Sequence, residues 1–106
     1  MANGILGRAE VAATTLTTLY TVPADTFAVV SVNICNRSAA PRTVRLALSD
    51  GATPATADYI EYDVEILAHG VLERTGIVMD AAKNIVVYAD SLGISAQVYG
   101  LETATS

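Results

Sequence analysis

The sequence predicts an all-β domain: an antiparallel β-sandwich of about seven to eight strands, immunoglobulin-like or jelly-roll-like in kind. Three observations predict it. Apolar residues recur with a period of two rather than with the helical period. Strand-sized pieces return about every 8–12 residues, separated by Gly, Pro, Asn and Asp punctuation. Finally, 52% of the 106 residues are hydrophobic and only 16% are charged, which excludes disorder as the default state and gives more apolar residues than one small core needs, so part of the surface is expected to be buried between subunits.

Residues 1–15 carry Ile5, Leu6 and Val11 among Gly, Ala and Thr, and read either as an edge strand or as an extended arm. An arm of about fifteen residues would reach about 50 Å, far enough to contact a neighbouring subunit. Residues 16–102 form the sandwich, and residues 103–106 a small polar tail. The first sandwich strand is Thr18 to Val22, closed by Pro23. In Ala28 to Cys35, residues 28, 30, 32 and 34 are all apolar and form a core face. In Thr43 to Ser49, Val44, Leu46 and Leu48 point inward while Thr43, Arg45, Ala47 and Ser49 point outward; a one-residue slip would bury an arginine, so register is fixed.

Thr53 to Asp58 is the one helical candidate, opened by Pro54 and too short for more than a turn. Tyr59 to Ile66 alternates again, with Ile60, Tyr62, Val64 and Ile66 inward and an acidic stripe of Glu61, Asp63 and Glu65 outward. Val71 to Met79 is apolar but interrupted by Glu73 and Arg74, and Asn84 to Ala89 and Ile94 to Leu101 complete the set. No repeat or linker divides the chain, so one domain is expected.

The acidic stripe has the residue type that calcium uses, but i, i+2 carboxylates on a straight strand stand about 6–7 Å apart, too far to share an ion unaided. Cross-strand pairing with Arg42 and Arg45, or with an arginine of another subunit, is the better use. Arg74, isolated in an apolar run, either pairs internally or marks an interface. One Cys, Cys35, and one His, His69, make neither a disulfide nor a Cys/His zinc site within the chain.

His69 lies in an Ala68-His69-Gly70 turn with no nucleophile motif near it, and Cys35 reads as a small packing residue. Gly4-Ile5-Leu6-Gly7 lacks the Lys-Ser/Thr of a phosphate loop. No catalytic residue, cofactor or metal is therefore expected, and no enzyme. Six basic residues scattered through a chain of net charge −5 give no nucleic-acid footprint. No apolar run nears the ~20 residues of a membrane span, and no secretory signal precedes the first strand.

Three runs taken together carry a family likeness: Thr18-Leu19-Tyr20-Thr21-Val22-Pro23-Ala24; Asn33-Ile34-Cys35-Asn36-Arg37; and Tyr59-Ile60-Glu61-Tyr62-Asp63 followed by Ala68 to Met79. They resemble the small β-rich virion structural proteins of tailed bacteriophages, especially phages of cyanobacteria, over about Leu16 to Glu102. The resemblance implies a non-enzymatic subunit located in the virion, assembled in the host cytoplasm, with no active site to carry over.

The expected role is a capsid cement or decoration protein bridging capsid subunits, a homo-oligomer (a trimer by analogy with capsid-cementing proteins) partnered with the major capsid protein or other virion proteins. The expected interface residues are Ile5, Leu6, Val11, Arg45, Glu61, Asp63, Glu65 and Arg74. Two alternatives stand beside it: a tail, baseplate or fibre-mounting component, and a host-glycan-binding module using Tyr20, Tyr59, Tyr88 and Tyr99 as aromatic platforms.

Overall fold

A computed structural model describes residues 3–104. Among them eight strands run β1 (Asn3–Val11), β2 (Thr17–Thr21), β3 (Thr26–Asn36), β4 (Arg42–Ser49), β5 (Tyr59–Ile66), β6 (Val71–Met79), β7 (Asn84–Ala89) and β8 (Ile94–Ala104), with one 3-10 turn at Thr56–Asp58. They form two four-stranded sheets, β1-β8-β3-β6 and β2-β7-β4-β5, in which every strand pair is antiparallel. The chain crosses from one sheet to the other at every connection except β4 to β5. This order is the jelly-roll form of the sandwich rather than the immunoglobulin one.

The core lies between the sheets and follows the period-two pattern. Ala28, Val30, Val32 and Ile34 of β3 meet Val44 and Leu46 of β4, Ile85 and Val87 of β7, and Ile94, Ala96 and Val98 of β8, all buried. β3 and β8 pair without a register break from Thr26↔Ala104 to Asn36↔Ile94 and form the spine of their sheet. Their close approach depends on Gly100, whose φ is +155°; a methyl group there would overlap the Val29 carbonyl oxygen and stand 2.8 Å from Val30 Cα.

Residues 3–11 are the edge strand and not an arm. β1 pairs with β8 from Asn3↔Leu101 to Val11↔Ile94, with a bulge at Leu6. Gly7 lets it press against β2 of the opposite sheet, where any side chain would overlap the Leu19 carbonyl oxygen. Val11 is consequently fully buried in the molecule's own core, and Leu6 packs half-buried against it. The domain therefore begins before residue 16, and Thr103 and Ala104 extend β8 against Phe27 and Thr26 rather than forming a tail; residues 1, 2, 105 and 106 lie outside the described part.

β5 departs most from expectation. Val44 faces Val64 and Leu46 faces Glu61, so Tyr62 and Asp63 together oppose Arg45 in a bulge, with Asp63 at φ +52°. The bulge reverses the side-chain alternation: Tyr62, expected inward, is 57% exposed, and Glu61, expected outward, has a side chain only 17% exposed. The helical candidate is realised as the single turn Thr56–Asp58, starting after Ala55 rather than at Pro54. The β4–β5 connection that carries this turn approaches the outer face of the β2-β7-β4-β5 sheet. There the outward-facing Ala47 and Val86 are buried outside the main core.

At the end of the sandwich opposite the chain termini, one side chain joins two connections. Asn36 is fully buried. Its Nδ2 donates to the carbonyls of Ala40 (2.8 Å), Ile66 (3.0 Å) and Leu67 (3.2 Å), and its Oδ1 accepts from the Ser38 amide (2.9 Å) and hydroxyl (2.7 Å). The loop 37–41 is thereby tied to the turn 67–70, and the Arg37 amide ties it to Gly93 in the β7–β8 turn (2.7 Å).

Candidate functional site

The two outer faces of the sandwich differ, and each gathers residues that are dispersed in the sequence. On the β1-β8-β3-β6 face, Val29 is in register with Val78 on one side and Leu101 on the other. These three outward-pointing side chains are 40%, 69% and 56% exposed, and directly opposed β residues stand about 5 Å apart, so they form one continuous apolar row. Phe27 extends the row along β3, and Ile5, 59% exposed, faces Tyr99 one register step away.

The other half of the same face is mainly polar, with Val71 opposite Cys35 as its exposed apolar residue. Tyr99 donates to Glu73 (2.6 Å), which holds its hydroxyl protonated above the ordinary tyrosine value, the hydrogen bond first and desolvation second. Arg37 donates to Ser95 (2.6 Å) and lies 3.6 Å from Glu10. Cys35 projects from this half, partly exposed rather than buried in the core.

The β2-β7-β4-β5 face carries an aromatic cluster. Arg45 lies between two rings, its guanidinium carbon 4.2 Å from the centre of Tyr62 and 4.8 Å from that of Tyr88. Its Nε donates to Asp63 at 2.6 Å and an Nη at 3.4 Å, and the bond to Asp63 is the main reason the guanidinium holds its proton more tightly than usual. The ring of Tyr59 meets Tyr62 edge to face, with centroids 5.0 Å apart and planes at 86°. With Thr56 the two rings line an open cleft of about 320 Å³.

The eight expected interface residues therefore separate. Ile5 is exposed on the apolar face, Leu6 is half-buried against the core, and Val11 is unavailable to any partner. Arg45 and Asp63 are paired on the opposite face. Arg74 of β6 reaches Glu61 of β5 at 3.1 Å, an ion pair between the edge strands of the two sheets; both residues close the sandwich edge, because the β5 bulge turns Glu61 inward. Glu65 is exposed. Arg42 turns away from the acidic strand and donates instead to the carbonyls of Leu92 and Pro41.

Of the four tyrosines expected as platforms, Tyr59 and Tyr88 join the cluster. Tyr20 is buried, its hydroxyl donating to Glu102 (2.5 Å), and Tyr99 stands on the other face. The third member of the cluster is Tyr62, which the alternation places in the core; the bulge at Tyr62 and Asp63 that turns it outward leaves no mark in the sequence period.

His69 sits exposed in its turn at φ +59°. Among the described residues, no group of three or more His, Cys, Asp and Glu side chains is placed to hold a metal ion. No helix among them is long and apolar enough to cross a membrane. No protein-family model and no curated protein matches the chain.

Proposed function

We propose that this chain is a non-enzymatic structural subunit of a tailed-phage virion, and within it a cement or decoration protein that self-associates and binds across shell subunits. The observation that carries the reading is the apolar row Val78, Val29, Leu101 with Phe27 and Ile5 on the outer face of the β1-β8-β3-β6 sheet. Single exposed apolar residues are ordinary, but a contiguous group on one sheet face marks a contact surface. From strand spacing and rise the apolar half of the face covers on the order of 300 Å². That is the apolar centre of an interface of ordinary size, which takes about 800 Å² from each partner. A jelly roll is also an architecture that capsid domains use, a fold-level analogy that supports the reading without carrying it.

A shell that binds the folded subunit gains stability by linkage, in proportion to the free energy of binding. The acidic net charge keeps the free protein soluble before it is incorporated and complements a basic acceptor surface. Light scattering on the purified protein together with immunogold labelling of intact particles tests the proposal. An oligomer in solution and label on the head are expected, and Val29→Asp should yield monomers that no longer decorate. Label on the tail alone would replace the cement role with the tail or baseplate one. A monomeric wild type whose attachment to particles is unaffected by Val29→Asp would remove the apolar face from the reading altogether.

A further inference from the structure

The aromatic cluster on the β2-β7-β4-β5 sheet is remote from the apolar row and plays no part in the assembly reading. Three properties decide what it can hold. The first is shape: Tyr59 and Tyr62, at 86° to each other, form a floor and a wall, and the cleft of about 320 Å³ they enclose with Thr56 is at the small end of ligand sites. The second is rigidity. Tyr62 is backed by Arg45, Arg45 is clamped by Asp63 and stacked on Tyr88, and the turn bearing Thr56 is fixed by the Asp58 carboxylate accepting the Ala55 amide at 2.8 Å. Pre-set side chains lose little freedom on binding.

The third property is chemistry. The guanidinium beside the corner is already neutralised by Asp63, and Glu65 on the same strand is exposed, so nothing there favours an anion. What remains is apolar ring surface edged by hydroxyls. Among the described residues, those of Thr56, Tyr59 and Tyr62 make no hydrogen bond to protein. A pyranose has the matching surface: a C–H face that lies on an aromatic ring, with a rim of hydroxyls that both donate and accept.

We propose that the corner formed by Tyr59, Tyr62 and Thr56 binds a neutral saccharide. The sugar stacks on a tyrosine ring and exchanges hydrogen bonds with the Thr56 and tyrosine hydroxyls, and the size of the cleft limits the contact to the end of an oligosaccharide. This site adds a recognition function to the chain and does not depend on the proposed role in the virion.

The test is NMR titration of the full chain, isotopically labelled, with maltohexaose, cellohexaose, chitohexaose and lacto-N-neotetraose. At least one should bind with a Kd between about 10 μM and a few mM, with shifts concentrated at residues 45, 56–63 and 88. Tyr62→Ala should weaken that binding about tenfold or more, as expected for an aromatic anchor. Tyr62→Phe should keep most of it, and Tyr99→Ala on the other sheet should leave it unchanged. Thr56→Val, which leaves the Arg45 stack untouched, should weaken it about threefold, the loss of one hydrogen bond.

Four results would overturn the proposal: no binding by any of the four sugars, shifts on the apolar face instead, equal binding by Tyr62→Ala, or a corner that takes a proline-rich peptide or a sulfated sugar and none of the neutral ones.

Discussion

Replacing Asn36 by alanine tests the claim that one buried amide holds an end of the sandwich together. The substitution removes five hydrogen bonds, three donated and two accepted, of which the bond to the Ile66 carbonyl is fully buried and the others partly so. The backbone bond from the residue 36 amide to Gly70 is retained. A net value of about 1 kcal/mol per bond applies only where water cannot substitute. The Ser38 and Ala40 groups can turn to solvent, whereas the Ile66 carbonyl, in a residue 3% exposed, cannot.

The Ile66 and Leu67 bonds lost and the Ile66 acceptor stranded give about 3 kcal/mol, roughly a fifth to three-fifths of the stability of an ordinary domain. Urea unfolding followed by circular dichroism should show the midpoint falling by about 1–3 M at an unchanged slope. Asn33→Ala, on the same strand but facing outward, should cost under about 0.5 kcal/mol. Asn36→Asp should be at least as damaging at pH 7, because a carboxylate would face three carbonyl oxygens, and should recover in part in acid, where the protonated carboxyl donates again. A loss below about 1 kcal/mol for Asn36→Ala would refute the reasoning and mean that the two connections hold one another without it.

Gly100→Ala should cost about 3 kcal/mol or more or leave the protein insoluble, because the added methyl group meets backbone of β3 on one side only and β3 cannot retreat from a core it fills. Gly51→Ala, where an added Cβ meets nothing within 4 Å, should lie within about 0.5 kcal/mol of wild type in the same melting experiment. Tyr20 sets the alkaline limit: burial first, then the bond to Glu102, raise its pKa far above the ordinary value. The folded state thus holds that proton more tightly than the unfolded chain does. The stabilisation is complete below the unfolded value near 10 and is lost as pH rises towards the folded one. Urea stability of the wild type should accordingly fall between about pH 9.5 and 11, and Tyr20→Phe should flatten that fall; an identical slope in the two proteins would refute the assignment.

The fold class was legible because burial on one face of a strand imposes a period of two, which runs unbroken along β3 and the first half of β8. Turn residues placed the connections equally well, since Pro23, Gly51 and Gly70 all fall between strands. The errors have two causes, bulges and an edge strand whose pairing no local spacing shows. The bulges in β1 and β5 insert an unpaired residue, and they reverse or shift the side-chain direction on only one side of themselves. Leu6 and Val11 were expected to be free for a partner, yet the paired edge strand keeps Val11 wholly and Leu6 half inside. Tyr62 and Glu61 exchanged their expected sides.

The sequence by itself determined an all-β sandwich, its inward face along most strands and an excess of apolar residues beyond what one core requires, because these follow from spacing and composition along the chain. Only the tertiary structure decided which surfaces that excess makes. Val29, Val78 and Leu101 lie far apart in sequence and become neighbours through the pairing of β3 with both β6 and β8. Arg45, Asp63 and Tyr88 meet only because β4 lies between β5 and β7. Strand order is a property of how two sheets close on one core, and no local preference encodes it.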